Sequence, residues 1–262
     1  MRGLFIALSI EFKKMVKSKI FIGSIIVFLF IGIMIGLLMF VIMHPEYLSR
    51  SAILETKSNF IETVNWASFF NMLLQLILTL GSIAFGIIAS WVFGREYADR
   101  TIKDLLALPV SRTEIVIAKF AVIILWNIIL TLLFYCISLI MGFAIHLPEW
   151  SSLLFRANLK FFWGGAFLTL LLITPVAYLA SLSRGYILPI VYIVLIMVFT
   201  QLVFVSAPSY AGYFPWALPA IFAGITEEMN STLDFSGYLI YFFLIILGFL
   251  TTLFYWNYAD QH

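Results

Sequence analysis

Six long stretches without a charged residue constrain the fold of this chain more than any other feature. The charge-free runs are 20–43, 68–93, 120–145, 161–181, 186–205 and 237–255. Each is close to or above the roughly 20 residues that a helix needs to cross about 30 Å of hydrocarbon. Inside a bilayer only helices and closed barrels satisfy every backbone polar group. The sequence therefore predicts an all-α membrane protein with six transmembrane helices.

The composition agrees with a single membrane domain over 1–262. Hydrophobic residues make up 63% of the chain and charged residues only 11%, whereas soluble domains have roughly 45–50% and about 25%. A formal net charge of +2 provides no strongly basic surface for a nucleic acid. We therefore expect membrane lipid, and no nucleic acid, among the partners of this chain.

The distribution of Lys and Arg predicts the orientation, because these residues collect on the cytoplasmic side of a membrane. The eleven basic residues on one side of the spans are Arg2, Lys13, Lys14, Lys17, Lys19, Arg95, Arg100, Lys103, Arg112, Lys119 and Arg184. The four on the other side are Arg50, Lys57, Arg156 and Lys160. Both termini are accordingly predicted to be cytoplasmic.

The segment before the first run, 1–19, has an amphipathic pattern. Its apolar residues share one helical face: Leu4, Phe5, Leu8, Phe12, Met15 and Val16. The basic residues Arg2, Lys13, Lys14 and Lys17 fall elsewhere, which favours an N-terminal helix lying in the cytoplasmic interface. The alternative is that the segment is only a basic topology signal.

The connection between spans 2 and 3 is the most informative stretch, with four acidic and four basic residues in 94–114. Thr101 can cap a short helix that Pro109 ends. The apolar side of that helix consists of Ile102, Leu105, Leu106 and Leu108. Ser111 and Glu114 have the spacing of a capping box directly before span 3. The apolar side needs either a protein partner or the lipid headgroups, and the residues alone favour neither.

The loop between spans 5 and 6, 206–236, is apolar and aromatic, with no charge before Glu227. This composition predicts a re-entrant segment that enters the outer leaflet. The alternative is an ordinary aromatic belt at the membrane interface. The residues expected to form an outer gate are Tyr213, Phe214, Trp216 and Phe222.

The residues also limit the chemistry available to the chain. No phosphate-binding loop of the Gly-x-x-x-x-Gly-Lys-Ser/Thr type is present, and none of the six runs holds an acid, a base or a histidine for proton coupling or proteolysis. We expect no enzymatic activity, no metal and no cofactor in this chain. It is then a scaffold, a channel or a membrane subunit driven by a separate motor.

Segment 93–112 resembles the cytoplasmic loop of ABC-2 permeases, the membrane subunits of type-2 ABC exporters. The matching residues are Glu96, Thr101, Leu105, Leu106, Pro109, Ser111 and Arg112. Many members of that family have Gly-Thr where this chain has Arg100-Thr101. The Asp-Arg-Thr form looks most like the bacitracin and lantibiotic immunity branch of the family.

This resemblance implies that the loop, 96–112, contains a coupling helix that binds a cytoplasmic ABC ATPase. The implied partner-binding residues are Glu96, Asp99, Arg100, Thr101, Ile102, Lys103, Asp104, Leu105, Leu106, Leu108 and Arg112. It further implies two ATPases, which bind ATP and Mg, and a second permease that is either another copy or a paralogue.

The resemblance also implies a location and a cargo. The location would be the bacterial cell membrane, and the cargo a peptide antibiotic or lipid-linked compound exported for resistance. Two alternatives stay open: a non-transporting sensor or scaffold subunit, and a permease for an ion or an ordinary lipid.

Overall fold

The computed structural model describes residues 2–44, 64–102, 110–225 and 234–258. All regular structure in these ranges is helical, and six helices are long and apolar enough to cross a membrane. In chain order, spans 1 to 6 are Lys19–Met43, Trp66–Ala98, Arg112–Ala144, Ser152–Leu182, Ile187–Ser206 and Phe235–Tyr258. The predicted fold class, an all-α protein with six spans, is confirmed.

The helices of spans 2 and 3 extend beyond the charge-free runs. Span 3 begins at Arg112 rather than at Phe120, because a capping box precedes it. The Ser111 hydroxyl accepts a hydrogen bond from the Glu114 amide at 3.2 Å, and the Glu114 carboxylate accepts one from the Ser111 amide at 3.1 Å. Caps fix where a helix starts, whereas hydropathy marks only its apolar part.

The N-terminal helix, Arg2–Val16, packs mainly on span 3. Its buried face is formed by Ala7, Glu11 and Met15, which are spaced by four residues, while Phe5 and Phe12 are exposed. The helix thus forms where the sequence predicts it, with an acidic residue at the centre of its inner face. Its placement in a membrane interface stays a prediction.

Spans 2, 3 and 4 form the centre of the bundle. Span 2 contacts spans 3, 4 and 5, span 1 lies along span 3, and span 6 packs against the second half of span 4. Spans 1, 5 and 6 leave most of their apolar surface uncovered. That surface is available to lipid or to another protein.

Spans 1 and 3 approach each other closely at two glycines one turn apart. A Cβ atom at Gly32 would overlap the Ile137 side chain, and one at Gly36 would overlap Met141. Small residues at this spacing allow two membrane helices to pack closely. By contrast, a Cβ at Gly23 would meet nothing within 4 Å.

Candidate functional site: an ion cluster beside the connection between spans 2 and 3

Five charged side chains meet at one end of the bundle, which we call the basic end. Glu11 and Lys14 come from the N-terminal helix, Arg95 and Glu96 from span 2, and Lys119 from span 3. Together they form the ion cluster. The exposed fractions of Glu11, Glu96 and Lys119 are 1%, 3% and 0%. These charges are therefore withdrawn from solvent and depend on one another for stabilisation.

Lys119 is the only member of the cluster on span 3. Its Nζ atom lies 3.0 Å from the Val92 carbonyl oxygen, 3.2 Å from Glu96 Oε1 and 3.4 Å from the Glu11 carboxylate. An ammonium group has three N–H donors, and three acceptors are present. None of these acceptors belongs to span 3, so one ammonium group joins span 3 to both span 2 and the N-terminal helix.

The two carboxylates also bind the other two cations. Arg95 Nη2 donates to Glu11 Oε2 at 2.6 Å, and Arg95 Nε donates to Glu96 Oε1 at 3.2 Å. Lys14 Nζ donates to Glu96 Oε1 at 2.9 Å. Three cations thus face two carboxylates, and Lys14, which is 33% exposed, keeps contact with solvent. The chemistry of the site is electrostatic: it fixes helices relative to one another.

Span 2 ends in a Schellman motif that leads into the connection. The Thr101 amide donates to the Glu96 carbonyl at 2.9 Å, and the Arg100 amide donates to the Tyr97 carbonyl at 3.2 Å. This motif needs a left-handed residue after the helix, and Arg100 supplies it with φ 57°. The Thr101 hydroxyl also donates to Glu96 Oε2 at 2.9 Å. The start of the connection is therefore bonded to the ion cluster through Glu96.

The other end of the connection is attached to span 6. Arg112 Nη1 lies 3.2 Å from the carbonyl oxygens of both Trp256 and Asn257. Thr113 and the Asn257 side chain are hydrogen bonded beside them. The last carbonyls of a helix lack partners in the helix and favour a cation. The first turn of span 3 thus caps the last turn of span 6.

The structure places the predicted partner-binding residues in different environments. Asp99 and Arg100 are exposed, whereas Glu96 and Ile102 are buried, at 3% and 5% exposure. Contact of the Glu96 or Ile102 side chain with another protein would require it to leave its internal partners. The remaining predicted residues of the coupling helix lie outside the described part of the chain: Lys103, Asp104, Leu105, Leu106 and Leu108. Partner binding by the whole set stays a prediction.

The sequence does not predict the cluster itself, because membrane orientation already accounts for Lys14, Arg95 and Lys119. Glu11 is the residue from which the cluster could have been predicted. It lies four residues before Met15 on the apolar side of a basic helix. An acidic group on a face that becomes buried requires a cation from another element.

The predicted outer-gate residues lie in the loop between spans 5 and 6. The Trp216 ring centroid is 6.0 Å from that of Tyr192 and 5.7 Å from that of Phe214. The Phe222 ring packs on Phe161. Tyr213 is 46% exposed. Residues 226–233 of this loop lie outside the described ranges, and the gate stays a prediction.

Among the residues that the structure describes, no group of three or more His, Cys, Asp or Glu side chains is arranged to hold a metal ion. The carboxylates of the ion cluster already accept hydrogen bonds from Lys and Arg. Six apolar spans, with an ion cluster at one end of the bundle, define a multi-pass helical membrane protein.

Comparison with known proteins identifies the family. The profile described as "ABC-2 family transporter protein" matches residues 7–201. The chain therefore belongs to the ABC-2 transporter family, as a permease subunit. It is 27% identical over 195 residues to the bacitracin transport permease protein BCRB of Bacillus licheniformis, an alignment that covers 74% of this chain and 92% of that protein. The resemblance noted for segment 93–112 is confirmed.

Proposed function

We propose that this permease is the membrane subunit of an ATP-driven exporter that removes an amphipathic or lipid-linked compound, such as a peptide antibiotic, from the bacterial cell membrane. The family match over residues 7–201 carries this proposal. The similarity to a bacitracin transport permease favours a peptide antibiotic as cargo. Resistance or self-protection would then be the purpose of its export. The basic end faces the cytoplasm, where a separate ABC ATPase binds ATP and Mg. A second permease, identical or paralogous, completes the complex.

In this proposal the connection between spans 2 and 3 docks on the ATPase. Both of its ends are attached to other helices, since Thr101 is bonded to Glu96 and Arg112 is bonded to Trp256 and Asn257. When the docked connection is displaced, spans 2, 3 and 6 are therefore expected to move with it. Movement of packed helices as rigid bodies is a common way to switch access to a cavity.

The cargo pathway is assigned to an uncharged polar face of span 2. Asn71, Gln75 and Thr79 follow one another at four-residue spacing and are exposed. Within the described ranges, the side-chain amides of Asn71 and Gln75 have no hydrogen-bond partner. An unpaired amide is costly in hydrocarbon, which favours placing this face on a cavity between the two permeases. Neutral amides suit an amphipathic cargo better than a bare ion.

The loop between spans 5 and 6 is proposed to re-enter the membrane and close that cavity. Trp216 packs on Tyr192, and span 5 continues from Tyr192 to Ser206. At 1.5 Å per residue, this stretch of helix is about 21 Å long. A contact so far from the end of span 5 supports a loop that folds back along the bundle rather than one that stays at its surface.

The docking step is tested by the double variant Leu105→Asp and Leu106→Asp. We expect normal insertion but loss of ATPase binding, of ATPase stimulation and of antibiotic resistance, because two carboxylates cannot enter an apolar groove. A matched control is Leu153→Asp, which changes a 77% exposed leucine at the opposite end; it should keep all three properties. Export that survives the double change would contradict docking through this face.

Energy source and cargo are tested separately. Inactivating the ATP site of the partner should abolish resistance, and resistance that persists would identify a sensor or scaffold instead. Efflux measured with bacitracin, lantibiotics, a labelled phospholipid and sodium should show transport of a peptide antibiotic. Transport of only the lipid or the ion would overturn the assigned cargo.

A further inference from the structure

We propose that the ion cluster is a positioning device for transport, which makes the N-terminal helix and the basic ends of spans 2 and 3 move as one body with the docked connection. This inference rests on the proposed function, because it assigns the cluster a part in passing on a movement that the ATPase starts. Glu11, Glu96 and Lys119 are its central residues.

The ion pairs link all three elements to one another. Arg95 on span 2 lies 2.6 Å from Glu11 on the N-terminal helix. Lys119 on span 3 lies 3.4 Å from Glu11 and 3.2 Å from Glu96. Lys14 on the N-terminal helix lies 2.9 Å from Glu96. No element can shift away from the other two without breaking at least two of these contacts.

Burial makes such a shift unfavourable. Lys119 is 0% exposed and Glu11 is 1% exposed, so water does not replace a partner that has been lost. An unpaired charge in such surroundings is far more costly than one at a surface. The three elements are therefore expected to keep their contacts and to move together.

Glu96 connects this unit to the docking segment. Its Oε1 atom accepts from Lys14, Arg95 and Lys119, while its Oε2 atom accepts from the Thr101 hydroxyl. A displacement of Thr101 would therefore pull on the Glu96 carboxylate, and through its ion pairs on the cations of three helices.

Stability alone does not require these charges. Well-packed apolar residues often replace a buried ion pair without loss of stability, whereas removing a single partner is strongly destabilising. A merely structural cluster and a positioning cluster therefore differ in one respect. Removing one cation and one anion together should restore both stability and transport, relative to the single variants, if the cluster is merely structural. If the cluster positions the helices, the same double change should restore only stability.

The experiment compares Lys119→Met, Glu11→Gln and the double variant that combines them, each purified with the ATPase in lipid nanodiscs. We expect Lys119→Met to unfold at a lower temperature and the double variant to return close to the wild-type value. ATPase stimulation should persist in the double variant, because the docking residues are intact, while cargo exported per ATP falls at least tenfold. Lys119→Arg keeps the charge and should retain most export.

Lys17→Met is the matched control, since it removes an exposed cation of the same segment that has no ion pair within the described residues. It should keep wild-type export per ATP. A double variant that regains both stability and export per ATP would overturn the inference and leave the proposed function intact. A wild-type complex that exports nothing would overturn the proposed function, and the inference with it.

A second measurement does not depend on how the variants fold. Spin labels are placed at Lys13 and Ala98, which are exposed on the N-terminal helix and on span 2, after replacement of the single Cys136 by serine. We expect the distance between the labels to stay the same in the ATP-free and vanadate-trapped complexes. A distance that changes between these states would show that the elements move separately, and would overturn the inference.

Discussion

Replacing Arg100 with glycine should stabilise the end of span 2. Arg100 has φ 57°, a left-handed conformation that costs a non-glycine residue roughly 1–2 kcal/mol. Glycine avoids this cost but loses about 0.5–1 kcal/mol through its greater freedom in the unfolded chain. The Arg100 side chain is exposed, so little contact energy is lost with it. The net gain should be about 1 kcal/mol.

Hydrogen exchange of the Thr101 amide reports this gain directly, because its N–H donates to the Glu96 carbonyl in the Schellman motif. Exchange there requires the end of span 2 to open. Since 1.4 kcal/mol corresponds to a tenfold change in an equilibrium, about 1 kcal/mol should slow exchange roughly fivefold. The measurement uses peptides that cover 97–102, with the protein in lipid nanodiscs.

Two further variants separate backbone strain from charge. Arg100→Ala removes the charge but keeps a Cβ, so it should exchange as fast as the wild type. Arg100→Asn should fall in between, since Asn tolerates the left-handed region better than most residues. If Arg100→Ala slows exchange as much as Arg100→Gly does, backbone strain is not the cause and the reasoning is refuted.

Two other predictions follow from contacts between spans. Arg112→Ala removes the partner of the Trp256 and Asn257 carbonyls and should destabilise the last turn of span 6 by about 1 kcal/mol, which faster amide exchange in that turn would show. Arg112→Lys should recover part of the lost stability. Unchanged exchange in Arg112→Ala would contradict the capping role. Gly32→Val overlaps Ile137 and should lower stability by about 1–3 kcal/mol in thermal unfolding. Gly23→Val, where a side chain meets open space, should be neutral, and an equal loss in both would argue against this packing.

The sequence was sufficient to predict the number of spans. Placing a charge in hydrocarbon is costly, so the six spans appear as six runs without a charged residue. It was not sufficient to predict where the helices end. Span 2 continues through Arg95 and Glu96, and span 3 starts at Arg112, since these ends depend on caps and on ion pairs rather than on hydropathy.

The ion cluster was harder to predict for a different reason. Its partners are distant in sequence, and a lysine near a span is normally explained by membrane orientation. Lys119 and Glu11 can be recognised as an ion pair only once the N-terminal helix is known to pack on span 3. Glu96, by contrast, was singled out from the sequence, although as a surface residue for a partner rather than as the centre of a buried network.

The same cluster bears on how the chain is assembled as it is made. Glu11 precedes its partner Lys119 by 108 residues and precedes Arg95 by 84. Because synthesis proceeds from the N-terminus, the helix that carries Glu11 and its neighbour Lys14 is complete well before the partners on spans 2 and 3 exist. Its carboxylate must stay hydrated until spans 2 and 3 have been inserted. The N-terminal helix is made before spans 2 and 3 but reaches its final position only after they are in place.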